Sequence, residues 1–513
     1  MKITLSPVDI AVIVAYVVLL IAIAVWTSYG KKNRSDNLFL ANKSLGWFAI
    51  GLTMWGTNVG PSMLIANASS GYESGIVAGN FSWYAFPFIL LLAFVFAPRY
   101  LGANVMTLPE FMGKRFGSQT RRYLAWYSII TIIISWLGLT LFSGGVFMAQ
   151  LLDMPMWLCI VILVVVSAAF TIAGGLKTIA YTNVYQMILL IGVSAMLAIM
   201  AVVKVGGVGA VIEQTPSSYW NLFQPLSDPN FPWLAILLGY PVMGVWFWCT
   251  DQSMVQSVLG AKNLKQGQLG ANFTAWLKII DIPLFILPGI LCFLLLPNLT
   301  DSTNAYLQLV ESVFPRGLLG LVVVIMSAAL ISTIAASLNS LSTVFTMDIY
   351  MKNHKADNRK IRQTGRIVVL VGAALSVVLA ICITFIQGLS FFNIFQSVLG
   401  FLAPPMTATF LFAVFWKRTS KKAINLTLTA GTLFSIGIAI LFYTGLIFKN
   451  LHFLYISFGI FVILAAFIFI FSLSDKKVTE YKADYKPLKI NNSVKIAWGI
   501  LVAIMLGLYV FFN

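Results

Sequence analysis

Apolar runs of about 20 residues recur from one end of this chain to the other. They start near Val8, Gly46, Asn80, Arg122, Met156, Ala180, Phe231, Gly270, Gly317, Arg366, Phe391, Ala423, Leu451 and Val494. That length lets a helix cross a hydrocarbon layer of about 30 Å, and lipid forces the backbone to satisfy its own hydrogen bonds. The composition agrees: 59% of the 513 residues are hydrophobic and 10% are charged. The expected fold class is an all-α polytopic membrane protein with about fourteen transmembrane helices.

Lysine and arginine fall almost wholly in the loops that follow odd-numbered spans; the exceptions are Lys2, Lys204, Arg316, Lys449 and the intramembrane Lys278. By the positive-inside rule these basic loops are cytoplasmic and both termini face outward. The net charge of +17 is therefore loop charge and points to no nucleic-acid partner. The first apolar stretch has no small-residue cleavage site and runs into "GKKNRS", so it reads as a retained anchor. Cys159, Cys249, Cys292 and Cys382 all lie within spans, which implies neither a disulfide framework nor a metal cluster. The expected location is a bacterial cell (inner) membrane, with the lipid bilayer as the constant partner.

Two spans carry helix-breaking residues at their centres: the second, "LTMWGTNVGPSMLIANASSG", and the seventh, "LLGYPVMGVWFWCTDQ". A break frees backbone carbonyls that lipid cannot satisfy, so it survives where it lines a cavity or holds an ion; an ordinary proline kink is the alternative. Spans two to six and seven to eleven make two groups of five, each opening with a broken helix. Five is odd, so the second group is inverted, the pattern of secondary transporters with a midplane binding site. The expected division is 1–45 anchor and first loop, 46–230 first repeat, 231–446 second repeat with its flanking span, and 447–513 terminal spans.

"AWLKIIDIPLF" places Lys278 and Asp281 three residues apart inside the eighth span. Charges at that depth are costly and mark function by default. Three roles are open: Lys278 snorkelling to water, a structural ion pair, or contact with a solute.

At "FWCTDQSMVQSVLGAKN" (247–263) the chain resembles the sodium/solute symporter family, in its sodium/glucose cotransporter-like branch. The segments "FLANKSLGWFAIG" (39–51), "VMTLPEFMGKRFG" (105–117), "AGGLKTIAYTNVYQ" (173–186) and "ISTIAASLNSLSTVFTMDIY" (331–350) extend the resemblance over most of the chain. It implies a LeuT-type 5+5 inverted repeat and Na+-driven import. It also implies a sodium site from the carbonyls of Gly56, Val59 and Ala329 with the hydroxyls of Ser332 and Thr333. Oxygen ligands suit a hard cation, although hydroxyls in membrane helices also bond back to their own helix. Where some members bind a second sodium, this chain has Asn183, Ala335 and Ala336, so one Na+ is expected.

For the solute, the resemblance implies a stacking ring at Trp248, hydroxyl partners at Lys278 and Gln396, a cavity-lining Asn58 and an aromatic gate at Phe247. Aromatic rings in such spans also serve plain helix packing. The family's sugar-binding glutamate is Ser82 here, and its polar His or Gln is Met63. Asp281 could supply the missing carboxylate. The leading expectation is a sugar or polyol as small-molecule substrate, with an organic acid such as sialic acid, or a transporter-like sensor, as alternatives. An enzyme is not expected, because His354 and His452 lie in loops without partners in any span.

Overall fold

The computed structural model describes residues 6–28, 39–315, 317–351, 357–383, 391–448, 450–476 and 480–513. Eleven helices among them are long and apolar enough to cross a membrane, and a bent pair, Leu264–Ile279 with Ile282–Leu295, makes a twelfth. Two of the eleven contain more than one crossing. The 50-residue helix Met156–Val205 leaves helical geometry at Gly175 (φ 58°, ψ −151°), which separates spans five and six. The stretch Met63–Gly102 passes through Gly75 (φ 72°) and so joins the end of span two to span three. Fourteen crossings result, and no named strand occurs among the described residues.

The fold is the LeuT-type 5+5 inverted repeat. Span nine (Leu319–Tyr350) is its most enclosed helix, with 83% of its most apolar window buried against 22% for spans one and fourteen. The outer spans meet lipid, whereas span nine is surrounded by protein. Span one (Pro7–Ser28) is nevertheless fixed to this core by polar contacts. Asp9 accepts from the Gly320 N–H at the start of span nine, and Tyr16 accepts from Gln186 of span six.

Span two is broken where the sequence predicts. Its first half, Trp47–Asn58, ends at Val59 and Gly60 in extended conformation, and the second half, Pro61–Ser74, begins with proline at its first position. Proline fits there because the N–H it lacks would have no helical partner. Span seven also breaks, but not at its proline and glycine. Pro241 stays inside the helix Trp233–Val245, and the chain turns extended only at Asp251 (φ −86°, ψ 129°), before the half-helix Gln252–Leu259. Gly244 serves packing instead: a Cβ there would lie 2.3 Å from the Phe88 ring.

Spans two and eight cross closely on both sides of the break. A Cβ on Gly270 would meet Ile50 at 2.5 Å, and one on Gly289 would meet the Ala68 carbonyl at 1.9 Å. Span eight bends by 41° as it passes the break. Small residues are what allow two membrane helices to approach this far. The approach brings the charged pair of span eight against the end of the first half of span two.

Candidate functional site

The break in span two faces the middle of span nine. The Thr333 hydroxyl lies 3.1 Å from the Ala329 carbonyl, 3.3 Å from that of Thr57 and 3.5 Å from that of Gly56. Beside it the Ser332 hydroxyl is buried and has no hydrogen-bond partner. Gly56 is required on its other flank, where a Cβ would lie 2.7 Å from the Met187 sulfur of span six. Four of the five sodium-site residues expected from the sequence are thus on facing surfaces. The fifth, Val59, lies in the break itself, in extended conformation. Thr57 is the addition, and its signal was its place in the turn that ends at the break.

The donor set is neutral oxygen throughout, which suits Na+ and offers nothing to a soft metal. No cluster of three or more His, Cys, Asp or Glu that could hold a metal occurs among the described residues. At the second-site positions Ala335 and Ala336 pack with Ile179 in a small apolar cluster, and both amide atoms of buried Asn183 lack partners. No carboxylate or side-chain hydroxyl stands at those three positions.

A cavity opens from this point between the halves of the molecule. Its walls include Asn58, Met63, Asn67, Phe81, Trp136, Thr140, Tyr240, Met243, Trp246, Phe247, Trp248 and Thr333. Of the expected solute residues, Asn58, Trp248 and Phe247 line it. Phe247 packs against Trp136 with ring centroids 5.2 Å apart and against Trp248 at 5.0 Å. Ser82 is buried without a hydrogen-bond partner and does not line the cavity. Gln396 lies in the helix Phe391–Phe415, but its side chain is outside the described residues, as is His354.

Lys278 and Asp281 do not line the cavity either; they stand behind Asn58. The ammonium and carboxylate form an ion pair, 2% and 0% exposed respectively. Lys278 also donates to Asn58 Oδ1 at 2.8 Å and lies 6.0 Å from the Trp248 ring centre. Asp281 Oδ1 accepts from Trp55 Nε1 at 2.8 Å. Burial this complete rules out snorkelling. Each charge is balanced and hydrogen-bonded, as a buried pair must be to survive. Trp55, Asn67, Thr140 and Trp136 went unnoticed in the sequence. Only Asn67 had a usable signal, lying one helical turn beyond Met63.

At the basic end of the molecule Arg121 of span four pairs with buried Asp348 of span nine at 2.6 Å. At the other end His452 caps the helix Phe453–Ser474. Its Nδ1 accepts from the Leu454 N–H, and Nε2 lies 3.1 Å from the Asn230 carbonyl. Burial lowers its pKa below the usual 6.5, which keeps the ring in the neutral form this cap requires.

Carbonyl and hydroxyl oxygens gathered beside a cavity, both set at broken helices, are the arrangement expected of a secondary transporter. The family model "Sodium:solute symporter family" matches residues 38–431. The chain is 33% identical to sodium/glucose cotransporter 4 of Danio rerio, over 82% of this chain and 70% of that protein. It is 31% identical to the sodium/mannose cotransporter of Bos taurus, over 83% and 78%. A solved structure of a Na+-coupled sialic acid symporter, substrate-bound and outward-open, superposes with a TM-score of 0.79 at 20% identity, covering 94% of this chain and all of that one. The chain belongs to the sodium:solute symporter family. It is a multi-pass membrane transporter that uses Na+, not an enzyme.

Proposed function

We propose that this protein imports a neutral sugar or polyol together with Na+ by alternating access. One observation carries the reading: the cavity beside the cation site is walled by aromatic rings, amides and hydroxyls, and among the described residues no charged side chain lines it. Aromatic faces suit the C–H surface of a sugar, and amides suit its hydroxyls. Lys278, a nearby cation, is neutralised by Asp281 behind the wall. A carboxylate solute would find no free positive charge there, which counts against the organic-acid alternative. The named relatives transport glucose and mannose, and that agrees with a sugar. The sialic acid symporter supports the fold alone.

The basic loops support a cytoplasmic side after odd-numbered spans, with both termini outward in the cell membrane. Residues 46–230 would then hold the first repeat and 231–446 the second with its flanking span, the two repeats rocking against each other. The cation site would take one Na+ through Gly56, Thr57, Ala329, Ser332 and Thr333.

Uptake into proteoliposomes under an inward Na+ gradient tests this, with glucose, mannose, sorbitol and sialic acid offered separately. Na+-dependent accumulation of at least one neutral solute is expected. Accumulation of sialic acid alone overturns the sugar reading. The reversal potential of the transported solute should give one Na+ per molecule, and a ratio of two would mean that Asn183 completes a second site.

A further inference from the structure

Among the described residues the cavity is lined by the amides and hydroxyls of Asn58, Asn67, Thr140, Tyr240 and Thr333, besides tryptophan rings. Several are already engaged. Thr333 is turned to the carbonyls of the cation site, Tyr240 donates to the Phe81 carbonyl, and Asn58 Oδ1 is held by Lys278. Asn67 differs. The residue is 6% exposed, and its amide nitrogen has no hydrogen-bond partner. An unsatisfied buried donor costs about 1–3 kcal/mol, so it requires an explanation.

The location supplies one. Asn67 lies four residues beyond Met63 on the second half of span two, and both residues face the cavity. Asn58 closes the first half, on the other side of the break. An ammonium group can only donate, so Lys278 fixes the Asn58 carbonyl oxygen towards itself and leaves the amide N–H2 for the cavity. Two amide donors therefore flank the break, one oriented by an ion pair and the other unpartnered.

We propose that Asn67 is a specificity-determining residue that donates its amide N–H to an oxygen of the transported solute, with Asn58 as the second donor and Lys278 as a positioning residue acting through Asn58. The proposal rests on the sugar or polyol reading above. It accounts for a site without a carboxylate at Ser82 or a polar residue at Met63: the solute is recognised here through its oxygen lone pairs rather than through its hydroxyl protons.

The test uses the full-length protein in proteoliposomes and whichever of glucose, mannose or sorbitol the wild type accumulates, with the monodeoxy analogues of that solute. Asn67→Ala should raise half-saturation by the solute about tenfold, the worth of one hydrogen bond, while half-saturation by Na+ and the Na+-dependent rise in melting temperature stay as in wild type. One deoxy analogue should bind the wild type about tenfold more weakly than the parent and bind Asn67→Ala as well as the parent does. Unchanged solute half-saturation, or undiminished discrimination against every deoxy analogue, overturns the assignment while leaving the sugar reading intact. Failure of the wild type to take up any of the three overturns the sugar reading, and the assignment with it.

Discussion

The two broken helices use their breaks in opposite ways. In span two no side chain caps the second half, and the carbonyls of Gly56 and Thr57 point to the Thr333 hydroxyl. In span seven Asp251 caps the following half-helix, accepting from the N–H groups of Ser253 and Met254, and its other oxygen accepts from Trp136 Nε1 at 3.1 Å. The Cys249 carbonyl is likewise taken, by the Tyr100 hydroxyl at 2.8 Å. Every helix break leaves polar groups that the membrane cannot satisfy. Span seven has these groups at its break tied within the protein. Span two turns its carbonyls to the Thr333 hydroxyl, where we propose the cation binds, and is held by a neighbour: Trp55 and Asn58, just before the break, are bonded by Asp281 and Lys278 of span eight.

The largest expected effect comes from taking that neighbour away. Asp281→Asn strands a buried ammonium, and Lys278→Met strands a buried carboxylate. Removing one partner of a buried pair costs roughly 3–5 kcal/mol in soluble proteins. Both single variants should lower the melting temperature of purified protein sharply and reduce uptake of every solute. Lys278→Met with Asp281→Leu should recover much of the stability. Solute affinity should remain poor, because Asn58 is no longer oriented. Wild-type solute affinity in a stable double variant would mean that span two keeps its shape unaided.

How much of this contrast could be read in the sequence depends on the range of the interaction. The spans were legible because each is a local run, and the break in span two because "NVGPS" places glycine and proline together. In span seven the same reasoning pointed to Pro241 and Gly244, and the fold overruled it. A proline needs only one carbonyl satisfied elsewhere, and Gly244 exists to admit Phe88. The better signal was Asp251 before "QSMV", an ordinary N-cap. The ion pair was visible as two charges at i and i+3. Its position behind Asn58 was not, because that follows from a helix crossing between residues 220 positions apart in the chain. Asn67 was signalled only by its place one helical turn beyond Met63; its burial and missing partner come from the fold.

The next effect is on the cation. If span two gives its carbonyls to Na+, the hydroxyls opposite them complete the shell. Ser332→Ala and Thr333→Ala each remove one oxygen. Hydrogen bonds to charged groups are worth about 1.5–3 kcal/mol, and a lost ligand on that scale raises half-saturation by Na+ about tenfold or more. Thr333→Ser keeps the oxygen and should fall between wild type and Thr333→Ala. Sodium dependence of uptake gives the values. Wild-type sodium dependence in both alanine variants would remove span nine from the site and with it the functional difference between the breaks.

The smallest effect separates the two breaks most cleanly. Asp251→Ala removes both the cap and the bond to Trp136, and a lost N-cap costs about 0.5–2 kcal/mol. Asp251→Asn keeps a carbonyl oxygen for the cap but sets an amide N–H2 where Trp136 Nε1 donates, so it should lose only the second contact. Trp136→Phe removes that same contact from the other side. The double variant Asp251→Asn with Trp136→Phe should therefore be no less stable than the sum of its single variants, and more stable if the bond is truly shared. Thermal unfolding of the four proteins measures this. Because span seven keeps its freed groups for itself, half-saturation by Na+ should not move in any of them. A rise in Asp251→Ala as large as that in Thr333→Ala would show that the second break also shapes the cation site.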